Sequence, residues 1–164
     1  MERDVIEKVL VALDGNVGSI KALHMGVKLA KSFGCELKYV YIAPMTDVYQ
    51  YELVGEAQFE ETLRSFKEEG RNLRELLSER GKRALEIANT SIKESGVVAE
   101  EIVRIGNNSE EIVKAAREIG ADIIIIGVNI PNPAFKNSTA QEVAEISPCS
   151  VLVVAPTWST FISK

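Results

Sequence analysis

Five short apolar runs punctuate the chain, and each ends at a turn residue. Residues 9–13 run into Asp14-Gly15, 37–43 into Pro44, 97–105 into Gly106, 123–126 into Gly127 and 151–155 into Pro156. Runs this short, rich in branched residues and closed by Gly or Pro, predict strands. The runs at Ile123 and Val151 show no polar alternation, which is the pattern of strands covered on both faces in a parallel sheet.

The segments between them have helical spacing. Residues 18–34 place Leu23, Val27, Ala30 and Phe33 on one face, with Lys21, His24, Lys28 and Lys31 on the other. Residues 59–92 form one long amphipathic stretch in which Phe59, Leu63, Phe66, Leu73, Leu77, Ala84 and Ala88 recur every three or four positions. Gly70 and Gly81 fill slots in the same series. A glycine inside a helix costs about 1 kcal/mol relative to alanine, so each predicts a close contact or a break. Ser109, followed by Glu110 and Glu111, predicts a helix start at 109–119. Ser147-Pro148 closes the last predicted helix, 138–146.

The order βαβαβαβαβ predicts one α/β domain, a parallel sheet with helices on both faces. Such sheets bind ligands beyond the carboxyl ends of their strands. The candidate positions are therefore Asp14 and Gly15, residues 43–47, Gly106 to Asn108, residues 127–137, and Pro156.

Composition narrows the function classes. The chain has 164 residues, enough for one domain with a sizeable core and too few for two ordinary ones. Its net charge of −5 offers no basic face for nucleic acid. No apolar run approaches the ~20 residues of a membrane span. The opening Met1-Glu2-Arg3-Asp4 does not read as a signal peptide, so a cytoplasmic protein is expected. Cys35 and Cys149 have neither metal nor CxxC spacing. The single histidine, His24, shares its helix face with three lysines, and no Ser/His/Asp or Cys/His set can be assembled around it.

Two positions carry suggestive chemistry. Asp14 can accept hydrogen bonds from a ribose, hold a metal, or close an Asx-turn with Gly15. Gly127 opens a loop that leads to Asn137-Ser138-Thr139 at a helix start. There, free N–H groups suit phosphate, and Ser138 can equally serve as an N-cap.

These residues sit in a recognisable frame. The segments Lys8 to Gly15 (KVLVALDG), Ile105 to Ile112 (IGNNSEEI), Ala121 to Gly127 (ADIIIIG) and Ile146 to Val154 (ISPCSVLVV) together resemble the universal stress proteins over nearly the whole chain. The resemblance implies a Rossmann-like five-stranded parallel sheet of order 3-2-1-4-5. It also implies an adenine-nucleotide site at Asp14, Ile42, Gly127, Asn129, Asn137, Ser138 and Thr139. The ligand would be AMP or ATP, with Mg²⁺ accompanying a triphosphate. Asp14 would hold ribose and the backbone of Ile42 adenine.

ATP-binding members carry G-x2-G-x9-G-[ST] after the fourth strand. Here Gly127 is present, Ile130 replaces the second glycine, and the stretch to the final pair is three residues shorter and ends in Asn137-Ser138. Ile130 removes the freedom that lets backbone approach a phosphate, and Pro131 and Pro133 stiffen the loop. Lys136 either supplies charge to a phosphate or is solvated. The resemblance thus leaves two readings, a nucleotide-responsive stress module or a dimeric signalling module without nucleotide. A weak ATP hydrolase is a third. The pyrophosphatase branch of the wider fold class needs a Ser-Gly-Gly-x-Asp-Ser loop, which Asp14 to Ser19 (DGNVGS) does not provide.

Two expectations follow from the strand order. Cys35 and Cys149 start strands three ladder steps apart, about 14 Å at ~4.8 Å per step, too far for a disulfide. The last strand is an apolar edge that needs cover. A homodimer through Val151, Leu152, Val153 and Val154 would supply it, with Trp158 and Phe161 covering the partner. The domain is expected to span 1–156, followed by a tail at 157–164.

Overall fold

In a computed structural model, residues 5–48, 55–128 and 138–155 are described. The expectations for Asn129 to Asn137, Pro156, Trp158, Phe161 and the tail lie outside these residues. The chain alternates β1 (Lys8–Leu13), α1 (Val17–Phe33), β2 (Glu36–Ala43), a 3-10 turn (Met45–Asp47), α2 (Glu56–Glu68), a second 3-10 turn (Leu73–Leu76) and α3 (Glu79–Ser95). It continues with β3 (Ala99–Ile105), α4 (Asn108–Ile119), β4 (Ile123–Gly127), α5 (Thr139–Ile146) and β5 (Ser150–Val154). The five strands form one parallel sheet in the order β3-β2-β1-β4-β5.

The unbroken apolar runs are explained by the two cores. On one face, Val9, Val11 and Leu13 of β1 join Tyr39 and Tyr41 of β2 and Ile125 of β4, under Leu23, Val27, Phe59, Phe66, Leu85 and Ala88 from α1 to α3. On the other, Leu10, Ala12, Val40, Ile42, Ile124 and Ile126 pack under Ile112, Val113, Ala116, Ala140 and Val143 of α4 and α5. Successive strand residues point to opposite faces, so a strand covered on both sides must be apolar throughout. Burial of this kind contributes ~25 cal/mol per Å² of apolar surface.

The long amphipathic stretch is two helices, and its two glycines differ in role. Gly70 has φ 66 and follows α2, so it marks the break. Gly81 lies within α3 and marks a close contact. A Cβ there would meet Tyr41 Cε1 at 3.1 Å and the Tyr41 hydroxyl at 3.2 Å. The cap of α4 also moves from its expected place. Asn107, not Ser109, accepts the Glu110 N–H at 3.2 Å. Ser109 turns inward at 5% exposure, with its hydroxyl 2.8 Å from Glu142 Oε2 of α5. The cause is local: an Asx side chain at 107 reaches the N–H three residues on, which leaves the serine to join two helices.

The amino end of the sheet is tied independently of the carboxyl end. Asp122 Oδ2 accepts the N–H groups of Glu7 and Lys8 at 2.8 and 2.9 Å, and Lys8 Nζ donates to the Ile119 carbonyl at the end of α4. The Ala121-Asp122 part of the motif is thus a strand anchor on the side away from the crevice. Cys35 and Cys149 are both free and partly buried, on opposite flanks of β1 as the strand order requires.

Candidate functional site

Strand order reverses between β1 and β4. The chain leaves β1 for β2 and β3 on one side, then crosses back through α4 to β4 on the other. The connections diverge there, and a crevice opens at the carboxyl ends of the two strands, where open α/β sheets bind ligands. Asp14 stands in its middle.

Three adjoining cavities meet at Asp14. The largest, about 230 Å³, is lined by Asp14 and Asn16, Tyr41 and Ile42 at the end of β2, Pro44 and Asp47, Arg80 of α3, and Gly106 and Asn108. A second, about 50 Å³, lies toward β4 between Leu13, Ser19, Asn108, Gly127 and Thr139. A third, about 100 Å³, runs outward past Gly15 to Arg80, Arg83 and Ile87. A larger hollow of about 560 Å³ follows α2, but its lining from Gln58 to Arg71 is one helix and the turn after it. No second element contributes to that groove among the described residues, so it gathers no converging chemistry.

Three helix starts converge on the β4 side of the crevice, beside Asp14. The first turns of α1, α4 and α5 supply Ser19, Asn108 and Thr139 to one small cavity, and each helix start carries partial positive charge and N–H groups without intrahelical partners. Asn108 Nδ2 donates to Thr139 Oγ1 at 3.3 Å, which ties the starts of α4 and α5 together. Ser138 caps α5, its hydroxyl accepting the Gln141 N–H at 3.2 Å.

Asp14 does two things at once. Its Oδ1 accepts the Asn16 N–H at 2.8 Å, which closes the expected Asx-turn with Gly15 inside it. The same carboxylate lines all three cavities. Gly127 has a structural cause independent of any ligand: a Cβ there would sit 2.0 Å from the Gly18 carbonyl oxygen and 2.9 Å from the Ser19 nitrogen. β4 ends against the backbone of the first turn of α1, and only a residue without a side chain fits.

Of the expected site residues, Asp14, Ile42, Gly127 and Thr139 line this crevice, and Ser138 adjoins it as the α5 cap. Ile42 is 6% exposed with its side chain in the α4–α5 core, so main chain is what it can offer a ligand. Asn129 and Asn137 fall outside the described residues. His24 stays exposed, with Nε2 3.1 Å from Ser91 Oγ and no place in the crevice. Among the described residues, no cluster of three or more His, Cys, Asp or Glu is arranged to hold a metal.

Tyr41 and Arg80 are two of the lining residues that sequence reasoning passes over, as it does Asn16, Ser19, Arg83 and Ile87. Tyr41 hides inside an apolar strand run, and Arg80 inside a helix whose charges look uniformly solvated. A tyrosine two residues before the end of a strand that stops at the sheet's carboxyl edge is the only signal that points to the first. Burial pushes the Tyr41 phenol above its ordinary pKa, reinforced by Asp47 and Asp14 and opposed by Arg80.

The chain as a whole is similar to known proteins. Residues 6–155 match the profile described as the Universal stress protein family. The chain is 32% identical over 153 residues to Universal stress protein YxiE of Bacillus subtilis (strain 168), covering 92% of this chain and 99% of that one. Its fold is similar to a universal stress protein crystallised in complex with cAMP, with a TM-score of 0.65, 19% identity and coverage of 94% and 100% of the two chains. It is also similar to an Arabidopsis thaliana universal stress protein family protein with AMP bound, with a TM-score of 0.62, 14% identity and coverage of 96% and 97%.

Proposed function

The chain belongs to the universal stress protein family, and we propose that it is a stress-response module that binds AMP in the crevice beside Asp14. The observation that carries this reading is the meeting of three helix starts and one carboxylate at the switch point of the sheet. A ribose fits the carboxylate, which accepts hydrogen bonds from hydroxyls. A phosphate fits the helix starts. The bound AMP and cAMP of two fold neighbours agree with a ligand of this class.

In this reading Asp14 takes the ribose, the Ile42 main chain the base, and Gly127, Asn129, Asn137, Ser138 and Thr139 the phosphate. A monophosphate is favoured over ATP because Ile130 and the shortened 127–138 stretch remove backbone contacts that a triphosphate with Mg²⁺ would use. Native mass spectrometry of the whole chain with AMP, ADP and ATP tests it. One AMP per chain is expected, lost in Asp14→Ala. Absence of any nucleotide adduct overturns the reading in favour of a module that signals without nucleotide.

The same module is proposed to act as a homodimer. β5 pairs with β4 on one side only, and Val151 to Val154 stay partly exposed on the described residues. Pairing that edge across a two-fold axis would cover it. Light scattering is expected to give a dimer at micromolar concentration, and a monomer there would remove this part.

A further inference from the structure

Tyr41 is 3% exposed and lines the 230 Å³ cavity. Its phenol oxygen makes no hydrogen bond among the described residues, whereas Tyr39 one turn of the pleat away bonds to Asn89 and Glu101. No fully buried side-chain oxygen in these residues lacks a partner, so the Tyr41 hydroxyl keeps its small exposure, and the cavity is what it opens into. Space for it is kept by Gly81, whose Cβ would stand 3.2 Å from that oxygen. A glycine in the first turn of α3 and an unsatisfied, nearly buried hydroxyl are separate features that converge on one point.

The groups around it define what can enter. Asp47 and Asp14 are carboxylates, Arg80 is a guanidinium, and all three act electrostatically on Tyr41. Two carboxylates oppose a phosphate. A neutral edge with its own donors and acceptors suits a mixed set of this kind. The cavity is far larger than one water, which occupies ~30 Å³ in the liquid. The phenol is a neutral hydroxyl, its ordinary pKa near 10 raised further by burial, and its oxygen can accept a hydrogen bond.

We infer that Tyr41, with Asp47 beside it, reads the base of the nucleotide by accepting hydrogen bonds from its exocyclic amine. This rests on the AMP reading above and deepens it: beside the Ile42 main chain that takes the base, a side chain tells a 6-amino purine from one that lacks the amine. Arg80 sets the charge balance at the rim. Tyr41 is then a specificity residue that touches the ligand and carries no bond of the fold.

The test is calorimetric titration of the full chain with AMP and with purine riboside 5′-monophosphate, which lacks the amine. Wild type is expected to favour AMP by roughly 5–10-fold, the worth of one neutral hydrogen bond. In Tyr41→Phe that preference should shrink toward unity while affinity for the amine-free ligand stays the same. The thermal midpoint should be unchanged, since the hydroxyl has no internal partner to lose. Asp47→Ala, at a half-buried rim position, should reduce the same preference and provides a second variant. Equal AMP affinity in wild type and Tyr41→Phe overturns the inference and leaves the nucleotide reading standing. An equal loss of both ligands in Tyr41→Phe also overturns it, because the hydroxyl would then not be reading the amine. If wild type binds neither ligand, the nucleotide reading itself has failed.

Discussion

Replacing Gly127 by alanine puts a methyl group against main chain. The new Cβ would lie 2.0 Å from Gly18 O, 2.3 Å from Gly18 C and 2.9 Å from Ser19 N. Ordinary carbon contacts need ~3.5 Å, so α1 and β4 must separate by more than ~1 Å. The first turn of α1 has little freedom to give. Ser19 N and Ile20 N donate to the Asn16 carbonyl at 3.1 and 3.2 Å, and Ser19 is 4% exposed. Overpacking ordinarily costs 1–3 kcal/mol, and displaced backbone falls at or beyond the top of that range, so a loss of about 3–5 kcal/mol is expected. At roughly 2–4 °C per kcal/mol for a chain of this size, the thermal midpoint should fall by about 10 °C.

Gly26→Ala is the internal comparison. Its Cβ would meet Val11 Cγ2 at 2.7 Å and Leu37 Cδ1 at 3.0 Å, side-chain methyls at longer range than the main-chain atoms that Gly127 faces. Alanine also recovers about 1 kcal/mol of helix propensity there. Circular dichroism melts should therefore rank Gly127→Ala well below Gly26→Ala. A Gly127→Ala midpoint within about 2 °C of wild type, or the opposite ranking, would refute the steric reasoning. The outcome bears on function, because a nucleotide defect in Gly127→Ala then reports a displaced helix and cannot by itself identify a phosphate contact.

Ser138 allows capping and phosphate binding to be separated. Ser138→Ala should cost about 1 kcal/mol of stability through the lost cap, whereas Ser138→Asp should keep the cap and stability but weaken AMP binding at least several-fold by charge repulsion, read by melts and titration side by side. Tyr39 offers a pH signature: burial first, then Glu101, push its phenol up to about 12, with Arg74 opposing. Its raised pKa favours the folded state below the unfolded value of about 10. The stability difference between wild type and Tyr39→Phe should therefore be constant below pH 10 and shrink as pH rises toward 12, and a difference independent of pH across that window in urea melts would contradict it.

The sheet was legible because burial on both faces leaves an unmistakable trace. Ile123 to Ile126 have no polar alternation, and the structure sets alternate residues of that run into opposite cores. Asp14 was legible for a related reason, since a charged residue closing an apolar strand stands out. What sequence did not settle was the role of each glycine. Gly70, Gly81 and Gly127 look alike in the chain, yet one ends a helix, one clears space for a phenol and one receives the backbone of α1. Those differences depend on what lies opposite, which is a tertiary fact. Tyr41 was invisible for the same reason: a tyrosine in an apolar run reads as core until the empty space at its hydroxyl is seen. The cap of α4 shifted from Ser109 to Asn107 because both are good capping residues, and packing against Glu142 decided between them.

Chemical-shift mapping of the ¹⁵N-labelled chain on titration with AMP tests the central claim most directly. The account predicts saturable shifts concentrated at Asp14 to Ser19, Tyr41 and Ile42, Gly106 to Ser109, Gly127, and Ser138 with Thr139. The amides of Glu7 and Lys8, held by Asp122 at the other end of the sheet, should stay still. No shifts at millimolar AMP, or shifts confined to the groove along α2, would contradict it.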